Sequence, residues 1–275
     1  MTELSLMDSS PRGILREALH RQRTLTTYGL LLLVLTPFML LLQQVDIRTF
    51  DDIDVWAKPT KFVFSVAVFA LTTAWFFGYV RPDRRRAPSL RAVVAVIIVA
   101  GSFEIIYIAW QAGHGLASHF NNSSAFYQIM YALMGLGAVS LVTATLPLAL
   151  EIRRRPASGL NPQYVAAVVM GLVLCFVLGG GFGIYMSQQP GHAVGLVGGH
   201  APFFGWNRAG GDLRIAHFLG IHAQQAIPML GLLIGGLSPR LRWPTLIGGT
   251  GAYVALAVAL FIQAIRAQPL LPGLF

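Results

Sequence analysis

The hydrocarbon core of a bilayer is about 30 Å thick and a helix rises about 1.5 Å per residue, so about 20 mostly apolar residues cross it. Seven stretches of this chain meet that length: 25–44, 59–80, 90–113, 125–150, 162–186, 213–237 and 243–265. They consume most of the 275 residues and leave no stretch able to build a separate water-soluble domain. Only 11% of the residues are charged, against roughly 25% in a soluble domain. The expected fold is an all-α integral membrane protein, a bundle of about seven transmembrane helices. Residues 1–24 form a basic cytoplasmic segment, and residues 25–275 form one membrane domain. Pro59, Pro162 and Pro244 stand where helices are expected to begin, a position that needs no backbone N–H.

Charge sets the orientation. The net charge of +9 would suit a nucleic-acid partner if it were clustered on one soluble face, but here it alternates from loop to loop. With the amino terminus inside, the inner segments hold 14 of the 20 basic residues and five of the 11 acids. The outer segments are then neutral. Arg12, Arg16, Arg21 and Arg23, then Arg81, Arg84, Arg85, Arg86 and Arg91, then Arg153 to Arg155, then Arg240 and Arg242 mark successive cytoplasmic segments. The amino terminus is expected in the cytoplasm, the carboxyl terminus outside, and the protein in the cell (inner) membrane as a multi-pass component without nucleic-acid function. Nothing near residue 1 resembles a cleaved signal peptide, because the apolar run is long and has no small-residue cleavage site. Ile14, Leu15 and Leu19 share one side of a short helix that would lie on the inner leaflet; a disordered basic tail is the alternative.

Six of the seven histidines, His114, His119, His192, His200, His217 and His222, fall in the outer half; His20 does not. Longer outer loops rich in polar residues account for His192 and His200 without any function. Ionisable groups within spans are a sharper signal, because their desolvation costs several kcal/mol. Glu104 lies near the middle of the third span, with Gln111 seven residues on and on the same face. In the sixth span His217 precedes the deeper His222, whose face Gln225 shares at i+3, and Pro228 follows as a kink. Lys61 opens the second span. An interhelical hydrogen-bond network with no ligand is the plain alternative for this set.

Histidine with carboxylate suits zinc or non-haem iron, and histidine pairs suit haem. His217 and His222 are about 140° apart on a regular helix, so one ion is not held by both from one face. Glu104, His119 and His222 form the candidate metal set, and the zinc-protease pattern HExxH is absent. The lone Cys175 excludes a cysteine pair, and the seventh span has no lysine for a retinal Schiff base. Asp212 reads as the N-cap of the sixth helix before it reads as a catalyst. Gly179, Gly180, Gly181 and Gly183 suit close helix contact within the fifth span.

The leading expectation is a membrane-embedded protein holding haem or a transition-metal ion, with Glu104 and His222 catalytic. His119, His217 and His222 would bind the cofactor, and Lys61, Gln111, Gln225 and Asp212 would line the pocket. Its chemistry would be redox or hydrolytic on a lipid, quinone or other small molecule. The alternatives are a proton-coupled transporter or channel and a noncatalytic subunit of a membrane complex; a homo-oligomer is open in each case. No internal repeat relates the first three spans to the last three, which weighs against an inverted-repeat transporter.

Overall fold

The computed structural model describes residues 10–50, 53–201 and 204–270; the rest of the expected segment 1–24 lies outside them. In chain order the elements are α1 (Pro11–Arg21), α2 (Arg23–Val45), strands β1 (Thr49–Phe50) and β2 (Ile53–Asp54), α3 (Ala57–Phe76), α4 (Pro88–Gly113), α5 (Ala125–Thr143) and α6 (Thr145–Arg154). Then come α7 (Pro162–Leu174), a π-helical turn over Cys175–Gly180, α8 (Gly181–Ser187), strands β3 (Ala193–Val194) and β4 (Gly211–Asp212), α9 (Leu213–Leu233) and α10 (Pro239–Ile265). Among the described residues, seven helical segments are long and apolar enough to cross a membrane. They match the seven expected stretches, the fourth being α5 with α6 and the fifth α7 through α8. Large apolar side chains stand on the outside, Val34 and Leu233 each 76% exposed. Water does not favour such a surface; lipid does.

One boundary differs. The last helix starts at Pro239 and Pro244 sits inside it, so Pro244 is not a helix start. Ser238–Pro239 is the better start signal, because Pro at the first helical position gives up an N–H that has no partner there. Pro162 opens α7 as expected, while Pro59 is the third residue of α3.

The chain falls into two compact units, residues 1–165 and 166–275. In the amino-terminal unit, Leu32, Met39, Val63, Val66, Ala67 and Ile105 form a buried cluster with Tyr28 and Phe62 against it. Gly29 permits the α2–α3 approach, since a Cβ there would lie 3.1 Å from the Ala67 carbonyl oxygen. One end of this unit is tied by arginines. Arg84 pairs with Glu151 at 2.8 Å, and Val80 bridges Pro156. At the other end Arg48 pairs with Asp46 at 2.6 Å and donates to the Gly113 carbonyl at 3.1 Å, joining two connections. The Arg48 guanidinium and the Trp56 N–H hold the Asp46 carboxyl below the usual carboxylate range.

In the carboxyl-terminal unit, Leu178, Phe182, Ala216 and Ala257 form a buried cluster. A Cβ at Gly220 would lie 2.5 Å from the Gly179 nitrogen, so the π turn and α9 touch backbone to backbone. Gly183 leaves room for the His217 ring, whereas Gly181 faces open space. The expectation of close packing therefore holds at Gly179 and Gly183 and not at Gly181.

Candidate functional site

In the amino-terminal unit α3, α4, α5 and the 114–124 connection bring ionisable groups together. The connection is shaped first by how α4 stops. Gly115, at φ +67, takes the left-handed position after the His114 cap. The Gly115 N–H then reaches Ala112 O at 2.9 Å and the Leu116 N–H reaches Gln111 O at 2.9 Å, a Schellman closure. Buried Gln111 donates its side-chain amide to Ala117 O at 3.1 Å. Gln111 thus folds the loop back over the helix end, and it shares the buried face of α4 with Glu104 as expected.

That loop delivers His119. The ammonium of Lys58, the second residue of α3, stands 3.0 Å from His119 Nδ1. An ammonium has no lone pair, so Lys58 donates and Nδ1 accepts, which places the ring proton on Nε2. The buried Ser118 hydroxyl is 3.2 Å from the same nitrogen. Burial first, and the Lys58 charge second, push His119 well below the usual histidine range, so the ring is neutral at pH 7. Phe62 and Tyr131 flank it, with ring centroids 6.2 and 6.1 Å away. The next residue, Phe120, has φ +57, an uncommon conformation for a bulky residue, and packs on Tyr131.

Glu104 is 1% exposed, and neither carboxyl oxygen has a hydrogen-bond partner. A Cβ at Gly137 of α5 would lie 3.1 Å from Glu104 Oε1, so that glycine makes the space the carboxyl occupies. Lys58 is a cation near both Glu104 and His119. Leaving a buried carboxyl without donors costs on the order of 1–3 kcal/mol or more, a cost that a purely structural acid would avoid by acquiring a partner.

In the carboxyl-terminal unit the residues are arranged differently. His217 Nδ1 donates to the Gly179 carbonyl at 3.0 Å, leaving Nε2 as the nitrogen with the lone pair. His222 hydrogen-bonds Gln225, as the i+3 spacing implies, and packs on Phe218 with centroids 4.3 Å apart. Phe204, Trp206 and Phe218 continue the aromatic wall. Asp212 caps α9 by accepting the Arg214 N–H at 2.9 Å, pairs with the Arg214 guanidinium at 2.6 Å, and accepts the Asn207 N–H at 2.7 Å. Asp212 is therefore a structural hub of the loop.

No known family model, curated protein or solved structure matches the chain.

Glu104, His119 and Gln111 share the amino-terminal unit, while His217, His222, Gln225 and Asp212 belong to the carboxyl-terminal one. Among the described residues, no group of three or more His, Cys, Asp or Glu side chains is placed to hold a metal ion. His114 is exposed, its Nδ1 donating to Trp110 O. His192 stands just before β3, and His200 lies in the β3–β4 connection, where it bridges Asn207 through its backbone. Lys61 is half-buried, one turn beyond Lys58. Lys58 and Tyr131 are the site residues that sequence reasoning missed; the available signal for Lys58 was its i−3 spacing from Lys61.

Proposed function

We propose that this is a multi-pass cell-membrane protein that couples proton movement to transport, with Glu104 as the proton-carrying group. Basic connections alternating with neutral ones support a cytoplasmic amino terminus, which would turn the Lys58–His119 pair toward the outside. The observation that carries the reading is the Glu104 carboxyl, buried with both oxygens unpartnered. Sealing a carboxyl among apolar side chains favours its acid form, and a nearby cation favours the carboxylate. A group between two such opposed influences changes its proton at modest cost, as relay acids in membranes do. Neutral His119 and the Lys58 ammonium would exchange protons with the outer solution and pass them to Glu104. The metal or haem chemistry expected for Glu104, His119 and His222 has less to support it, since no cluster of three or more His, Cys, Asp or Glu ligands comes together among the described residues.

The test is reconstitution into vesicles with a pH-sensitive dye inside and an imposed potential. Wild-type protein is expected to move protons, and Glu104→Gln to abolish the flux while inserting and folding normally. Full flux in Glu104→Gln would overturn the proposal.

A second reading rests on His217. Its Nδ1 bond to a backbone carbonyl is the orientation that presents Nε2 to a metal or haem iron. His217 would then serve as a cofactor ligand in the carboxyl-terminal unit, and absorbance and elemental analysis of the same preparation distinguish the two readings.

A further inference from the structure

The helix before the first span carries a feature that the transport reading does not use. α1 ends at Gln22, whose extended backbone (φ −154, ψ 93) breaks the helix and whose side chain caps α2 by accepting the Leu25 N–H. The chain can leave the axis of α2 there, and α1 is held by the buried Arg21 side chain and by the Thr26 hydroxyl, which donates to Ala18 O at 2.9 Å. Arg21 is 6% exposed. Its guanidinium lies 4.1 Å from the Trp75 ring centroid and 5.1 Å from that of Tyr79. It also pairs with Glu17 at 2.7 Å and donates to Trp75 O at 3.1 Å. Gly78 is required beneath it, since a Cβ there would lie 2.6 Å from the Arg21 guanidinium carbon.

With Arg21, Glu17 and Gly13 turned toward the protein, the opposite face of α1 is set by helical spacing. Leu15 and Leu19 border Arg12, Arg16, His20 and, just past the break, Arg23. Arg12, Arg16, His20 and Arg23 are exposed, and Leu15 is 41% exposed. No acid stands in the first turn of α1 to neutralise them. Leucines beside arginines on a helix adjoining a membrane span match the boundary between acyl chains and negative headgroups.

We propose that α1 is a docking surface for anionic phospholipid headgroups, held in place by Arg21, with Arg12, Arg16 and Arg23 on the phosphates and Leu15 in the acyl boundary. The proposal rests on the membrane reading but not on the proton site. The test is backbone hydrogen exchange over residues 11–21 in full-length protein in nanodiscs of phosphatidylcholine, with or without phosphatidylglycerol. Phosphatidylglycerol is expected to slow exchange at least about tenfold, from roughly 1 kcal/mol per basic residue near the surface. Replacing Arg12, Arg16 and Arg23 together with Gln removes the difference, and Leu15→Ser reduces it while leaving all charge in place. Glu104→Gln leaves it unchanged. Equal exchange in the two lipids, a triple variant or Leu15→Ser that keeps the full difference, or equal slowing by inorganic phosphate in phosphatidylcholine discs would overturn the proposal.

Discussion

Glu104 and Asp212 are both buried acids in a chain with few charges, at 1% and 2% exposure, and they are treated in opposite ways. Asp212 accepts from two backbone N–H groups and from a guanidinium. Its charge is compensated and its loop is ordered around it: Asn207, which donates to Asp212, also accepts from the Gly198 N–H at 3.0 Å and donates to Leu196 O at 2.8 Å. Glu104 receives no donor at all. The same residue chemistry is therefore fully hydrogen-bonded in one unit and left without donors in the other. What distinguishes the two is the number of donors around the carboxyl, since burial is nearly equal.

Mutation tests this contrast, and the largest effect is expected at Asp212. Asp212→Ala leaves Arg214 partly buried without its partner and removes the cap of α9, so the loss of stability should be about 3–5 kcal/mol. Glu104→Gln removes no hydrogen bond and should shift stability by less than about 1 kcal/mol. Thermal unfolding of both variants in one detergent compares them; equal losses would erase the distinction.

A smaller effect belongs to His119. Its pKa in the folded protein lies well below the unfolded value near 6.5. The unfolded chain therefore binds the proton first as pH falls. Stability is unaffected by this group above about pH 6.5 and falls below it, by at most about 1.4 kcal/mol per pH unit. His119→Gln should flatten that part of the profile between pH 6.5 and 5, measured by unfolding across the range. An unchanged slope would mean that the ring is not held neutral by its surroundings.

The spans were legible in the sequence because seven apolar runs of the right length have no other stable use. Glu104 was legible for the same reason, as a charge where charges are expensive, and Asp212 as a cap because it immediately precedes an apolar helix. Lys58 was not, since its importance depends on a loop that returns His119 to α3 only after Gly115 has turned the chain. The π turn at Cys175–Gly180 was hidden as well. Its glycines suggested contact, but which of them meets α9 depends on the extra residue in that turn, a phase that sequence spacing alone does not fix.

Glu104 is a buried acid without donors, whereas Asp212 is a fully compensated one. A lipid-soluble carbodiimide modifies carboxyls that carry a proton in apolar surroundings and spares carboxylates held in ion pairs. Treatment of the membrane-embedded protein, followed by mass spectrometry of its peptides, reads both residues in one experiment. The account predicts the adduct on Glu104 and none on Asp212, with Glu104→Gln abolishing it. An adduct on Asp212, or a Glu104 that stays unmodified, would contradict it.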